Sequence, residues 1–196
     1  MAENIHIPMF PLAILPLPGE LVPLHIFEPR YQQLLQDAET NDIRFGIYFT
    51  HVINTARVGS LMRLESVIKR YPDGRSDIVL KCEDIFSMTL LLRTYKSKMY
   101  PGGEVNGWHV NQKAAPGPAL VSLFTQYLNL RNFRTPSPSL TLFEIAHELN
   151  LPVTDRYKLL QQKQDEKKEL FLAAQLRYQI HLLNQEERSK DVFHLN

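Results

Sequence analysis

Apolar positions follow two different rhythms along this chain. Up to about residue 112 they come in short alternating runs broken by proline, and beyond it they recur at helical spacing. The opening holds Pro8, Pro11, Pro16, Pro18, Pro23 and Pro29. Proline has no backbone donor, so central strands and helix interiors are disfavoured here and short extended pieces are favoured. Ile5–Pro11 and Leu21–Phe27 read as strands, joined through a turn at Pro18-Gly19. Tyr31, Leu34, Leu35 and Ala38 then fall on one helical face, with Pro29 at the first helical position and Asn41-Asp42 as the stop. Ile43–Thr50 reads as a strand.

Leu61–Tyr71 is strand-like and leads into Tyr71-Pro72-Asp73-Gly74-Arg75. There Pro72 presets φ, and Gly74 supplies the positive φ of a bulged hairpin. On the return strand Ile78, Leu80 and Cys82 face one way, with Val79, Lys81 and Glu83 opposite. Glu83-Asp84 reads as a break, after which Phe86, Met88, Leu90 and Leu92 alternate with polar neighbours. Closely spaced, half-buried antiparallel strands of this kind predict a small barrel or sandwich.

Gly/Pro signals at Pro101-Gly102-Gly103, Gly107 and Pro116-Gly117-Pro118 mark a change of class. The boundary is placed near residue 113, giving a β-rich part over 1–112 and an α-helical part over 113–196. Leu120, Leu123, Phe124, Tyr127 and Leu128 make the first helical stripe, and Arg134–Ser139 reads as a linker. Thr141-Leu142-Phe143-Glu144 fits a capping box, in which Thr and Glu each satisfy an orphaned backbone N–H. Its stripe is Leu142, Ile145, Ala146 and Leu149, ended by Leu151-Pro152. A short helix over Thr154–Gln162 follows, and then a long one from about Asp165 to Glu187.

The overall charge narrows the ligand classes. Residues 1–112 carry 11 Lys/Arg against 12 Asp/Glu, and residues 113–196 carry 11 against 9. Neither part has the basic excess that phosphate-backbone binding needs, so no nucleic-acid partner is expected. The single cysteine, Cys82, can close no internal disulfide, and it reads as a buried thiol. The first residues lack the basic and apolar regions of a signal peptide, and no apolar run is long enough to span a bilayer. The expectation is a cytoplasmic protein without a membrane partner.

Catalytic and cofactor motifs are missing. Gly102 and Gly107 have the spacing of a phosphate-binding loop, but Trp108 and His109 stand where Lys and Ser/Thr belong. Gly59-Ser60 lacks the flanks of a nucleophile elbow. His6, His25, His51, His109, His147, His181 and His194 show no ligand spacing, and His147-Glu148 lacks a second histidine. Glu83-Asp84 and Glu186-Glu187 read as solvated charges, and Arg93, Lys96 and Lys98 as a protected strand edge. No catalytic residue, metal or cofactor is therefore expected.

One set of residues is more specific. Phe10-Pro11-Leu12, Leu15, Pro18-Gly19, Leu21 and the run Pro23-Leu24-His25-Ile26-Phe27-Glu28-Pro29-Arg30-Tyr31 resemble the opening of the Lon protease N-terminal domain family. Phe45-Gly46-Ile47, Val58-Gly59-Ser60 (similar to a family turn), Asp73-Gly74-Arg75, and Tyr100 with Glu104-Val105 match further family pieces in order. Ile145-Ala146, Leu149, Leu151 and Leu159-Leu160 resemble its helical part. Cys82-Glu83-Asp84-Ile85-Phe86 departs from the family, having neither its glycine nor its arginine.

The resemblance implies an α+β fold: a PUA-like antiparallel β-barrel with one helix, then a C-terminal helical bundle. It also implies recognition of unfolded or extended polypeptide, with a separate protease or ATPase as a possible partner. The family's full-length proteases continue into ATPase and Ser–Lys protease domains, whereas this sequence stops at Asn196, so only the recognition role carries over. Within the run, Leu24 and Ile26 are expected to face the core, with His25 and Phe27 opposite. Glu28 and Arg30 are expected to fix the strand–helix junction. Pro23, His25, Phe27, Glu28, Arg30 and Tyr31 are the candidate peptide-contact residues. The competing functional readings are RNA binding, since PUA-like barrels occur in RNA-associated proteins, and a hydrolase.

Overall fold

The computed structural model describes residues 5–108, 110–132 and 139–193, with side chains through residue 186. All but Ser139 of the expected linker, and His109 and His194, lie outside the described residues. The chain divides into two units, Met1–Val110 and Asn111–Asn196.

The first unit runs β1 (Ile5–Leu12), β2 (Leu21–Ile26), α1 (Pro29–Asn41), β3 (Phe45–Phe49), β4 (Val58–Arg70), β5 (Ser76–Leu92) and β6 (Gly102–Gly107). The sheet order is β2-β5-β4-β3-β1-β6, and β6 pairs again with β5. The long strand β5 makes this possible. It holds β4 on one edge and divides the other, giving Ser76–Lys81 to β2 and Phe86–Leu92 to β6. The pairings through β5, β4, β3, β1 and β6 therefore close into a ring, with β2 attached outside it.

Three expectations need correction. The sheet is not wholly antiparallel, because β1 and β3 run parallel, with Met9 opposite Gly46 and Phe10 opposite Ile47. Parallel neighbours need a long crossover, and β2 together with α1 provides it. Nor does the chain break at Glu83-Asp84. Leu61 pairs with Asp84 and Met62 with Cys82, so Glu83 is an extra residue in a β-bulge within one continuous strand. The bulge exchanges the two faces. Ile85 continues the row of Cys82, while Phe86 and Met88 turn to the other side and join Ile7, Met9 and Val105 in one buried cluster.

Val58-Gly59-Ser60, read by resemblance as a turn, is instead the start of β4. A methyl group at Gly59 would lie 2.4 Å from Phe86 Cζ and 2.5 Å from the Ile47 carbonyl oxygen. The glycine is there because the Phe86 ring fills the space of its side chain. Gly74, at φ +87°, closes the β4–β5 hairpin as its sequence suggests. Helix α1 buries Tyr31, Leu34, Leu35 and Ala38, begins on Pro29, and stops at Asp42 in the left-handed region.

The second unit holds α2 (Pro118–Leu130), α3 (Leu142–Glu148), α4 (Val153–Gln161) and α5 (Asp165–Phe193). Helices α2, α3 and α4 each contact α5. Thr141 and Glu144 form the complete capping box at the start of α3. Leu172, Leu176 and Ile180 of α5 are buried. Lys168 is buried too, and its ammonium donates to Asp165 at 2.7 Å. That bond holds the Asp165 carboxyl below its usual range.

Candidate functional site

Strand β2 pairs with β5 alone, so its second edge is open among the described residues. The phase of that edge follows from one bond: Cys82 N–H donates to Glu20 O at 2.9 Å. Antiparallel ladders alternate, so Val22, Leu24 and Ile26 turn their backbone groups to β5, and Leu21, Pro23 and His25 turn theirs outward. Pro23 thus sits where its missing N–H leaves no gap in the sheet. The side chains alternate as well. Ile26 is buried and Leu24 half-buried, whereas Leu21 is 56% and Phe27 60% exposed.

Four of the six candidate residues gather at the end of this strand. His25, Phe27, Glu28 and Tyr31 line a shallow cavity of about 160 Å³ with Phe10 and Leu24. Tyr31 is buried, stacked on Phe10 at 3.9 Å between ring centres. The other two candidates are not in its wall. Pro23 lies further along the edge, and Arg30 caps the site from outside, its guanidinium 4.6 Å from the Tyr31 ring centre. Glu28 accepts from Arg30 Nε at 2.8 Å, and its carbonyl accepts from Tyr31 N–H and Gln32 N–H at 2.9 Å each. These bonds fix the turn from strand into helix.

Two contributors are invisible in the local sequence. Asp77 lies directly across the β2–β5 pair from His25, and its Oδ1 is 2.6 Å from His25 Nδ1. The Tyr71 hydroxyl donates to the other carboxylate oxygen at 2.7 Å. The His25 and Tyr71 bonds hold the Asp77 carboxyl below its usual range, against a smaller opposing effect of desolvation. The carboxylate is therefore ionised at neutral pH, and it is the imidazole that donates. The Tyr71 ring meets His25 edge-on at 5.7 Å, and Phe27 stacks on His25 at 6.2 Å. Lys69 Nζ lies 4.6 Å from the Tyr71 ring centre. The result is a row of three rings, exposed Phe27 and His25 and half-buried Tyr71, its central imidazole clamped by a carboxylate.

Among the described residues His25 donates to no hydroxyl or thiol, and no three His, Cys, Asp or Glu side chains converge on a metal position. Cys82 is buried, and burial pushes its thiol far above the ordinary range, so it is no nucleophile. No helix among the described residues is long and apolar enough to cross a membrane.

Comparison with known proteins agrees with this architecture. Residues 6–191 match the family model described as the ATP-dependent protease La (LON) substrate-binding domain. A crystal structure of a Lon N-terminal domain protein from Xanthomonas campestris superposes with a TM-score of 0.67 at 24% identity, covering 87% of this chain and 98% of that one. The N-terminal domain of Mycobacterium avium complex Lon protease superposes with a TM-score of 0.60 at 15% identity, covering 88% of this chain and 98% of that one. No curated protein matches the chain.

Proposed function

The chain belongs to the family of ATP-dependent protease La (LON) substrate-binding domains, and from that premise we propose that it is a non-catalytic module that binds unfolded or extended polypeptide along β2. The observation that carries this reading is the open edge of β2. It joins outward backbone groups at Leu21, Pro23 and His25 to exposed Leu21 and Phe27 side chains and to the cavity behind Phe27. An extended chain can pair with such an edge and place its own side chains on the adjacent apolar surface.

In this reading the strand ring is the PUA-like barrel and the four-helix unit a supporting bundle. The module presents captured chains to a separate protease or ATPase, as a cytoplasmic adaptor that consumes no nucleotide. His25, Phe27, Glu28 and Tyr31 contact the ligand, Pro23 shapes the edge, and Arg30 holds the floor of the cavity through Tyr31.

The test is titration of a permanently unfolded, reduced and alkylated protein against the wild type and the variant Phe27→Asp. Phe27 is exposed, so the substitution leaves the fold intact, and binding is expected to weaken by about tenfold or more. Wild-type binding to native and unfolded protein alike, or equal binding by the variant, would exclude this surface.

A further inference from the structure

A second cavity opens in the first unit at the end of the strand ring where β1 begins and β6 ends. It measures about 360 Å³, and Ile5, Ile7, Leu61, Ile85, Phe86 and Val105 make its apolar wall. Cavities of this size at the mouth of a closed sheet are suited to holding a ligand group. The charged groups beside it do not cancel. Arg44 lines the cavity and is ion-paired with Glu83. Asp84 also lines the cavity, and among the described residues its Oδ1 accepts from the Ile85 N–H alone, at 2.8 Å. Among the described residues no cation is ion-paired with Asp84. Among the described residues the mouth is thus an apolar well whose wall holds one half-buried carboxylate outside any ion pair.

We infer that this mouth is a second subsite for polypeptide, selecting a large apolar side chain that has a lysine or arginine beside it. The apolar group enters between Phe86 and Val105, and the neighbouring cation meets Asp84. An acidic neighbour would face Asp84 as a like charge and be disfavoured. The inference rests on the polypeptide-binding reading, but it concerns a site separate from β2. The protein carries a reporter for it: Trp108, the only tryptophan, directly follows the cavity residue Gly107. Its backbone N–H donates to Ile85 O at 3.0 Å.

The experiment titrates the whole protein with two labelled peptides of identical apolar core, one flanked by lysines and one by glutamates. Peptide anisotropy and Trp108 emission are read together in wild type, Asp84→Asn and Phe27→Asp. Asparagine keeps the oxygen that accepts from Ile85 and removes only the charge. The lysine-flanked peptide is expected to bind wild type about threefold to tenfold tighter, as one partly exposed ion pair allows, and to shift Trp108 emission. Asp84→Asn is expected to erase the preference, while Phe27→Asp lowers affinity for both peptides and keeps it. In wild type alone, raising salt from 0.05 M to 0.5 M is expected to shrink the preference. Equal wild-type affinities with Trp108 silent, or a preference that survives Asp84→Asn, overturns this subsite and leaves the β2 reading standing. If neither peptide binds wild type, both readings fall.

Discussion

His25 and Asp77 face each other across the β2–β5 pair, imidazole Nδ1 2.6 Å from carboxylate Oδ1. Tyr71 completes the clamp from the far side at 2.7 Å. A carboxyl lowered by such partners stabilises the folded state above its unfolded value of 3.8, and that stabilisation is lost as pH falls through the lower folded value. The melting temperature of wild type is therefore expected to exceed that of Asp77→Asn most at pH 6. The gap should narrow as pH drops below about 4. Thermal melts from pH 6 to 2.5 read this directly, and a gap that widens on acidification contradicts the clamp.

Phe86 and Gly59 define the packing inside the ring. A β-carbon at Gly59 would meet the Phe86 ring at 2.4 Å and the Ile47 carbonyl at 2.5 Å. Gly59→Ala is expected to destabilise the first unit by about 1–3 kcal/mol, the usual range for overpacking. Adding Phe86→Leu should recover only part of this, because the clash with backbone remains. Urea denaturation of the single and double variants checks both expectations, and full recovery in the double variant would locate the strain in the ring alone.

Much of this architecture is legible locally, and the remainder fails for identifiable physical reasons. The Thr141–Glu144 capping box, Pro29 at the start of α1 and Gly74 in the β4–β5 turn are each decided by residues within a few positions of one another, so the sequence suffices. The parallel β1–β3 pair is set by contacts across the whole crossover, which no local period records. The bulge at Glu83 is hidden differently. Cys82, Phe86 and Met88 keep even spacing through it, so an exchange of faces reads as simple continuation or as a break. At the candidate site, His25, Phe27, Glu28 and Tyr31 were recognisable as a run. Asp77 and Tyr71 reach that run only through the register of β2 on β5 and the hairpin that precedes β5.

The Cys82 thiol offers a probe of the same sheet. It is buried, and Sγ lies 3.6 Å from Pro16 O and 3.5 Å from Asp84 O. Burial pushes its ionisation well above the ordinary thiol range. Alkylation by iodoacetamide at pH 8 is expected to be negligible in the native protein and complete in denaturant, as followed by intact mass. Rapid native labelling would mean that β5 opens readily beside the bulge.

Strand addition and simple apolar adhesion predict different responses to changes in the ligand backbone. Cys82 N–H donating to Glu20 O fixes which β2 residues look outward, namely Leu21, Pro23 and His25. Their carbonyls are available to ligand N–H groups, but only Leu21 and His25 also offer donors, since Pro23 has none. A ligand paired along this edge turns alternate N–H groups towards β2. N-methylation at those alternate positions removes a donor and inserts bulk into the ladder, and is expected to weaken binding by about threefold to tenfold at each position, the worth of one net hydrogen bond. Methylation at the intervening positions, whose N–H groups point to water, should change affinity little. Anisotropy titration of a singly N-methylated peptide series gives the pattern. A response with a period of two places the ligand on the β2 edge. A flat response would instead assign the affinity to side chains resting on Phe27 and the cavity behind it.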